Sequence, residues 1–279
     1  MHTDSLPGGY QIEERYIAVA DLPDRWEILN PSLAHLNNMD VRYLTVQQRG
    51  TRANSHAVFY VPGLAGDMED LPGLDELVCP HARLVRVEAY GLRRMWMDVL
   101  FTTFGDICAL LRTSRQSVST IADRLELTSF DIIGPSWGGF IAMLTAFNDP
   151  RCRRVFAFVS TPDICDALSR MYHLVPPLPK FAAVLDVLQS GHIRRDAEAA
   201  KSGQAEHQTA WNAISPWTLE NIKHRDFELL FLNRDEDETM RRWNVEHWIE
   251  WARAVGLNVD ARFVNLSEEA NCHNLPFDV

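Results

Sequence analysis

The chain of 279 residues is long enough for one large domain or two small ones, and it is 46% hydrophobic and 23% charged, as is ordinary for a globular protein. Its net charge of -11 argues against a nucleic-acid partner, because binding to phosphates requires a basic surface. The sequence contains no signal-peptide pattern and no apolar run near the ~20 residues of a membrane-spanning helix. We therefore expect a cytoplasmic protein without a membrane partner.

Cysteine spacing gives no sign of a metal site. The five cysteines are scattered without C-x-x-C spacing, which indicates neither a disulfide framework nor zinc ligands. We expect buried free thiols, no cofactor and no metal.

Eight short runs along the chain are typical of β-strands. They lie at 15–20, 41–48, 56–63, 82–91, 130–134, 155–160, 227–233 and 259–266. Several are almost continuously apolar, as expected of parallel strands that are covered on both faces. Helical periodicity occurs at 104–125 and 242–255. The alternation of strand and helix predicts an α/β fold with a doubly wound, mostly parallel sheet of eight strands.

One long interval, 161–226, has no strand pattern. It contains helix-like pieces around the proline-rich stretch "HLVPPLPKF". We predict a helical cap at 161–226, inserted into a core formed by 1–160 and 227–279. Trp211 and Trp217 of this cap are predicted to contact the substrate, with a role in packing the cap as the alternative.

The stretch "FDIIGPSWGGF" joins a predicted strand to a predicted helix through a G-x-S-x-G pattern. In this pattern a serine lies on a sharp, strained turn at the carboxyl end of a strand, and glycines permit the close backbone approach that the turn requires. The sequence therefore predicts Ser136 as a nucleophile.

A nucleophilic serine needs a histidine, an acid and donors for an oxyanion. His273 follows the last predicted strand, which is the place of the base in a chain order of serine, acid and histidine. The acid is open at this point among three aspartates: Asp163, Asp235 and Asp237. The oxyanion donors are predicted to be the backbone N–H groups of Trp137 and Leu64, the latter within the glycine-rich loop 61–67.

The chain resembles the α/β-hydrolase superfamily through four segments: "VFYVPGLAGD", "DIIGPSWGGF", "SPWTLENIKHRDFELLFLNRDEDET" and "NCHNLPF". The third segment is similar to that of serine esterases and the prolyl-oligopeptidase-like branch, and this resemblance selects Asp237 as the acid. Two departures are Pro62, where the superfamily commonly has a histidine, and the end of the chain six residues after His273.

This resemblance implies a serine hydrolase that cleaves an acyl ester bond of a small, largely apolar substrate through an acyl-enzyme. The alternatives are a receptor-like member with slow or no turnover, and an acyltransferase, thioesterase or peptidase that uses the same triad. The sequence specifies neither the natural substrate nor the oligomeric state.

Overall fold

A computed structural model describes residues 3–5, 9–24, 34–48, 55–63, 68, 71, 73–88, 104–163, 167, 195, 199, 215–216, 219–235, 237 and 240–264. Its strands are β1 (Thr3–Ser5), β2 (Tyr10–Ala18), β3 (Asp40–Gln48), β4 (His56–Tyr60), β5 (Arg83–Val87), β6 (Ser129–Pro135), β7 (Cys152–Phe158), β8 (Glu228–Arg234) and β9 (Asn258–Val264). All eight predicted strands are confirmed, and the short β1 extends the sheet at one edge.

The strands form one sheet in the order β1-β2-β3-β5-β4-β6-β7-β8-β9. Neighbours from β5 through β4, β6, β7 and β8 to β9 run parallel, whereas β1, β2 and β3 join the sheet in antiparallel pairs. Parallel strands of one sheet need crossover connections, and the two predicted helices supply those from β5 to β6 and from β8 to β9. The mostly parallel, doubly wound sheet predicted from the sequence is therefore confirmed.

The described helices are α1 (Leu74–Val78), α2 (Phe104–Arg124), α3 (Trp137–Asn148) and α4 (Arg242–Ala254). Short 3-10 helices occupy Val19–Asp21, Ala34–Asn38 and Leu219–Asn221. Within the described ranges, no helix combines the length and the apolar character that crossing a bilayer requires.

Both faces of the sheet are covered by apolar side chains. Phe59 and Tyr60 are consecutive in β4 and therefore point to opposite faces. Phe59 belongs to a large cluster with buried residues of α2, α3 and α4, and Tyr60 to a smaller one that includes Leu74 of α1. Every residue of α3 except its last is buried, which is typical of a helix in the middle of a core.

This topology places the end of β6 near the centre of the sheet. Strand β6 lies between β4 and β7, and its carboxyl end leads directly into α3. Most of the predicted cap at 161–226 lies outside the described residues, so it stays a prediction.

Three cysteines are described, and all three are buried free thiols, as expected: Cys79, Cys108 and Cys152. Burial raises the pKa of the Cys79 thiol to about 11 and that of Cys152 well above its usual value. Neither is a thiolate near neutral pH, so neither has the character of a nucleophile. Cys165 and Cys272 lie outside the described residues.

Asp149 is an ion-paired carboxylate in the turn that joins α3 to β7. It is 5% exposed and accepts hydrogen bonds from the Arg151 guanidinium at 2.9 and 2.8 Å and from the Arg151 backbone N–H at 3.1 Å. Burial alone would raise the pKa of Asp149, but the bonds from Arg151 outweigh it and hold this pKa below its usual value. The lowered pKa means that the carboxylate stabilises the folded state above the ordinary carboxyl pKa of about 3.9.

We expect Asp149→Asn to lower the free energy of unfolding at pH 7 by about 2 kcal/mol, because it removes charged hydrogen bonds from a buried site. The difference from wild type should shrink as the pH falls below about 3.9, where the unfolded state begins to bind the proton, and it should be lost below the lower pKa of the folded state. Urea unfolding at several pH values measures this. The matched control is Asp123→Asn, which removes a second carboxylate from Arg151 at 2.7 Å; Asp123 is 65% exposed, so its loss should be under about 1 kcal/mol. Equal losses in the two variants would contradict the assignment.

Candidate active site

Ser136 lies on the turn between β6 and α3, in a backbone conformation that few residues adopt. Its φ is 50° and its ψ is −118°. This region favours glycine, and the side chain of a serine makes it unfavourable. Such a conformation costs on the order of 1–3 kcal/mol and persists only where the surroundings enforce it. The Ser136 N–H donates to the carbonyl of Phe158 at 2.7 Å, which ties the turn to the end of β7. The predicted strained strand-to-helix turn is thus present.

Two glycines make this turn possible. A Cβ on Gly134 would lie 2.3 Å from the carbonyl carbon of Gly138, and a Cβ on Gly138 would lie 1.9 Å from the carbonyl oxygen of Val61. Both distances are far inside van der Waals contact and involve backbone atoms that cannot move aside. The glycines of the G-x-S-x-G pattern are therefore required by close packing of the turn on itself and on the chain after β4.

The chain after β4 passes directly beside Ser136. A Cβ on Gly63 would lie 3.4 Å from the Cβ of Ser136 and 3.3 Å from the carbonyl oxygen of Pro135. Trp137 begins α3, so its backbone N–H belongs to the positive end of that helix, while its side chain is buried in the core. The first of the two predicted oxyanion donors is therefore adjacent to the serine, and the loop predicted to hold the second begins beside it.

Of the three candidate acids, Asp237 is the most buried. It is 5% exposed, and one of its carboxylate oxygens accepts the backbone N–H of Met240, two residues before α4, at 2.8 Å. Asp235 is different: its carboxylate forms an ion pair with Arg242 of α4 and its side chain is 35% exposed. The Asp235 carboxylate is thus already paired with a cation at the protein surface.

Asp163 is a half-buried residue in the segment after β7. Its backbone N–H donates to the hydroxyl of Thr161 at 3.1 Å, so this segment forms a local turn. The remaining predicted site residues lie outside the described residues, and their assignments stay predictions: Leu64, Trp211, Trp217 and His273.

A hydrogen-bonded pair that the sequence analysis did not identify connects β8 to the serine turn. Ser160 and Asn233 lie just beyond β7 and near the end of β8, and they are 1% and 0% exposed. The side-chain amide of Asn233 bonds both the N–H and the carbonyl of Ser160, at 3.0 and 2.8 Å, and the Ser160 hydroxyl donates to the carbonyl of Ser136 at 2.8 Å. Neither residue stands in a motif, so only the fold brings them together.

A serine–histidine–aspartate group separate from the predicted triad lies at the amino-terminal ends of the central strands β4, β6 and β7. His56 contacts the Ser129 hydroxyl at 2.8 Å and the Asp131 carboxylate at 3.3 Å. The same oxygen of Asp131 accepts two hydrogen bonds from Arg154, at 3.0 and 2.6 Å. Ser129 lies within a strand, not at the start of a helix, and its backbone is not strained. This group lacks the turn that exposes a nucleophile beside backbone donors.

Several solved structures share this architecture, and three of them are named as enzymes. An acetyl xylan esterase from Thermoanaerobacterium matches 97% of this chain with a TM-score of 0.59 at 12% identity, and the match covers 83% of the esterase. A post-proline cleaving enzyme from Rickettsia typhi matches 95% with a TM-score of 0.59, also at 12% identity. An acylaminoacyl peptidase from Pyrococcus horikoshii matches 91% with a TM-score of 0.55 at 12% identity. The chain has the α/β-hydrolase fold.

The α/β-hydrolase fold explains why the serine turn lies where it does. In this fold the nucleophile follows a central parallel strand, as Ser136 follows β6. The chain spans only 34% and 37% of the lengths of the two peptidases, and identities of 12% establish the fold alone. No family model matches the chain, and no curated protein sequence does so at a significant level.

Proposed function

We propose that this protein is a serine hydrolase that cleaves an acyl ester bond through an acyl-enzyme on Ser136. The observation that carries the proposal is the conformation of Ser136, with φ 50° and ψ −118°, at the junction of the central strand β6 and the buried helix α3. A strained backbone at a serine between a strand and a helix is typical of a nucleophile whose hydroxyl is exposed at the carboxyl end of the sheet.

The proposed reaction uses the residues predicted from the sequence. His273 takes the proton of the Ser136 hydroxyl as its oxygen attacks the acyl carbonyl, and Asp237 holds the histidine in the required tautomer. The backbone N–H groups of Trp137 and Leu64 stabilise the tetrahedral oxyanion. The alcohol then leaves with the proton from His273, and water, activated by the same histidine, releases the acid.

The charge and burial around the described part of the site fit this chemistry. Asp237 is enclosed, so its charge is little screened, while Asp235 is already neutralised by Arg242. Trp137 begins a helix whose positive end favours negative charge beside Ser136. The preference for esters with a small apolar acyl group rests on the predicted cap, where Trp211 and Trp217 would supply apolar surface.

A fluorophosphonate probe tests the proposal. We expect one equivalent to add to the protein, with a bond formed between the Ser136 oxygen and phosphorus as fluoride leaves. Trypsin cleaves after Arg124 and Arg151, so Ser129 and Ser136 fall in one peptide, and fragment ions between them must localise the adduct. Labelling at Ser129 or at any residue other than Ser136 would contradict the proposal.

Turnover separates the proposed enzyme from the receptor-like alternative. A hydrolase should release nitrophenol continuously from a series of p-nitrophenyl acyl esters. One burst equal to the protein concentration, with no further release, would instead support the receptor-like alternative.

A further inference from the structure

We propose that Ser160 and Asn233 are positioning residues that hold the Ser136 turn in its strained conformation; the proposal rests on the proposed role of Ser136. The chain of contacts runs from the Asn233 amide to the Ser160 backbone, and from the Ser160 hydroxyl to the Ser136 carbonyl. Neither residue touches the acyl group in the proposed reaction, so both act through Ser136.

The contacts hold the turn from two sides. The Ser136 N–H is bonded to the carbonyl of Phe158, and the Ser136 carbonyl is bonded to the hydroxyl of Ser160. Phe158 ends β7 and Ser160 lies two residues beyond it, so both groups belong to one short segment. The N–H groups of Gly139 and Phe140 also donate to the Ser136 carbonyl, at 3.1 and 3.3 Å, but these bonds lie within the start of α3. The Ser160 hydroxyl, by contrast, ties this carbonyl to the segment that follows β7.

The segment that carries Ser160 is itself strained, and β8 holds it. Val159 has a φ of 45°, which is unfavourable for a β-branched residue. Its N–H donates to the carbonyl of Leu232 at 2.9 Å, and the next residue, Ser160, is bonded at both its N–H and its carbonyl to the Asn233 side chain. A side chain that pairs both backbone groups of one residue acts as an extra rung of the sheet where the regular ladder has ended. Asn233 therefore maintains the turn that presents the Ser160 hydroxyl.

Close packing fits the same interpretation. A Cβ on Gly139 would lie 2.7 Å from both the Cβ and the hydroxyl of Ser160. Gly139 lies beyond the G-x-S-x-G pattern, and its approach to Ser160 explains why a second glycine follows Gly138. Ser160 and Asn233 are fully buried, so water does not replace a lost hydrogen bond at this point.

Asn233 also connects the segment that leads to the proposed acid, Asp237, with the turn that carries the proposed nucleophile, Ser136. It lies four residues before Asp237 on the same strand and loop, so one side chain couples the strand that leads to the acid with the turn that carries the nucleophile. In the proposed reaction, a displacement of Ser136 by about 1 Å would have a large effect on the rate.

Ser160→Ala tests the proposal, with Ser117→Ala as the matched control. Ser117 is also 1% exposed, and its hydroxyl donates to a backbone carbonyl, that of Thr113, at the same 2.8 Å, but within α2. We expect Ser160→Ala to lower kcat about tenfold with KM changed less than about twofold, because the turn is displaced while substrate binding is retained. Ser117→Ala should keep the wild-type kcat. A kcat for Ser160→Ala within about twofold of the control would overturn the proposal.

A second measurement does not depend on catalysis. Amide hydrogen exchange at 136–140 should be about tenfold faster in Ser160→Ala than in Ser117→Ala, because the turn opens more often. If the wild type neither turns over esters nor reacts with the fluorophosphonate, the proposed function fails, and the exchange rates alone then decide the positioning proposal by the same comparison. If Ser160→Ala does not fold, Ser160→Cys serves in its place, since the thiol fills the position of the hydroxyl and is only a weak donor to the Ser136 carbonyl.

Discussion

Ser136→Ala is expected to fold like the wild type and to lower kcat for acyl ester hydrolysis by about 10⁶-fold, the scale seen when a serine nucleophile is removed. Alanine fits the same turn, because the packing of Gly134 and Gly138 does not involve the Ser136 hydroxyl. The residual rate is what binding and the oxyanion donors supply without a covalent step. Steady-state kinetics on a p-nitrophenyl ester measure kcat, and circular dichroism checks the fold.

Ser129→Ala is the matched control for this result. Ser129 begins β6, and its hydroxyl contacts His56, which lies beside the buried Asp131. Because it lies at the opposite end of the strand, its removal should leave kcat within about twofold of wild type. A large loss of kcat in Ser129→Ala with retained activity in Ser136→Ala would place the reaction at the amino-terminal end of β6 and refute the proposed mechanism.

The sequence was sufficient to predict the central strands of the sheet, because parallel strands that are buried on both faces are almost continuously apolar. Strands β6, β7 and β8 are apolar runs that need no partner to be recognised. Strand β2 was predicted only from 15, although it starts at Tyr10, because three of its first five residues are polar and all five are half-buried near the sheet edge. Strand β1 has no apolar pattern and exists only as a partner of β2.

The serine turn was also predictable, since its glycines are dictated by local packing that any sequence with this turn must satisfy. The contacts that hold the turn were not. Asn233 and Ser160 are 73 residues apart in the chain and meet because β7 and β8 are neighbours. A hydrogen bond between two such residues leaves no periodicity or spacing in the sequence.

The choice of acid also depends on contacts that the sequence does not reveal. Three carboxylates follow β8 within three positions, and the sequence alone does not separate a solvated turn from an enclosed carboxylate. The structure separates two of them, because Arg242 seven residues later binds Asp235, whereas Met240 turns its N–H toward Asp237. The selection of Asp237 from the family resemblance agrees with this burial, and its catalytic role stays a prediction.

Asp237→Asn is expected to lower kcat about 10⁴-fold, as the loss of the tautomer-fixing carboxylate does in the serine protease triad. The amide oxygen of asparagine can still accept the Met240 N–H, so the loop should keep its conformation and the loss can be assigned to His273. Asp235→Asn is the matched control: it removes an exposed ion pair with Arg242 and should change kcat less than about twofold. Asp163→Asn completes the series, measured on one ester under the same conditions. If Asp163→Asn shows the largest loss, the acid follows β7, and Asp237 is then a residue that shapes the loop before α4.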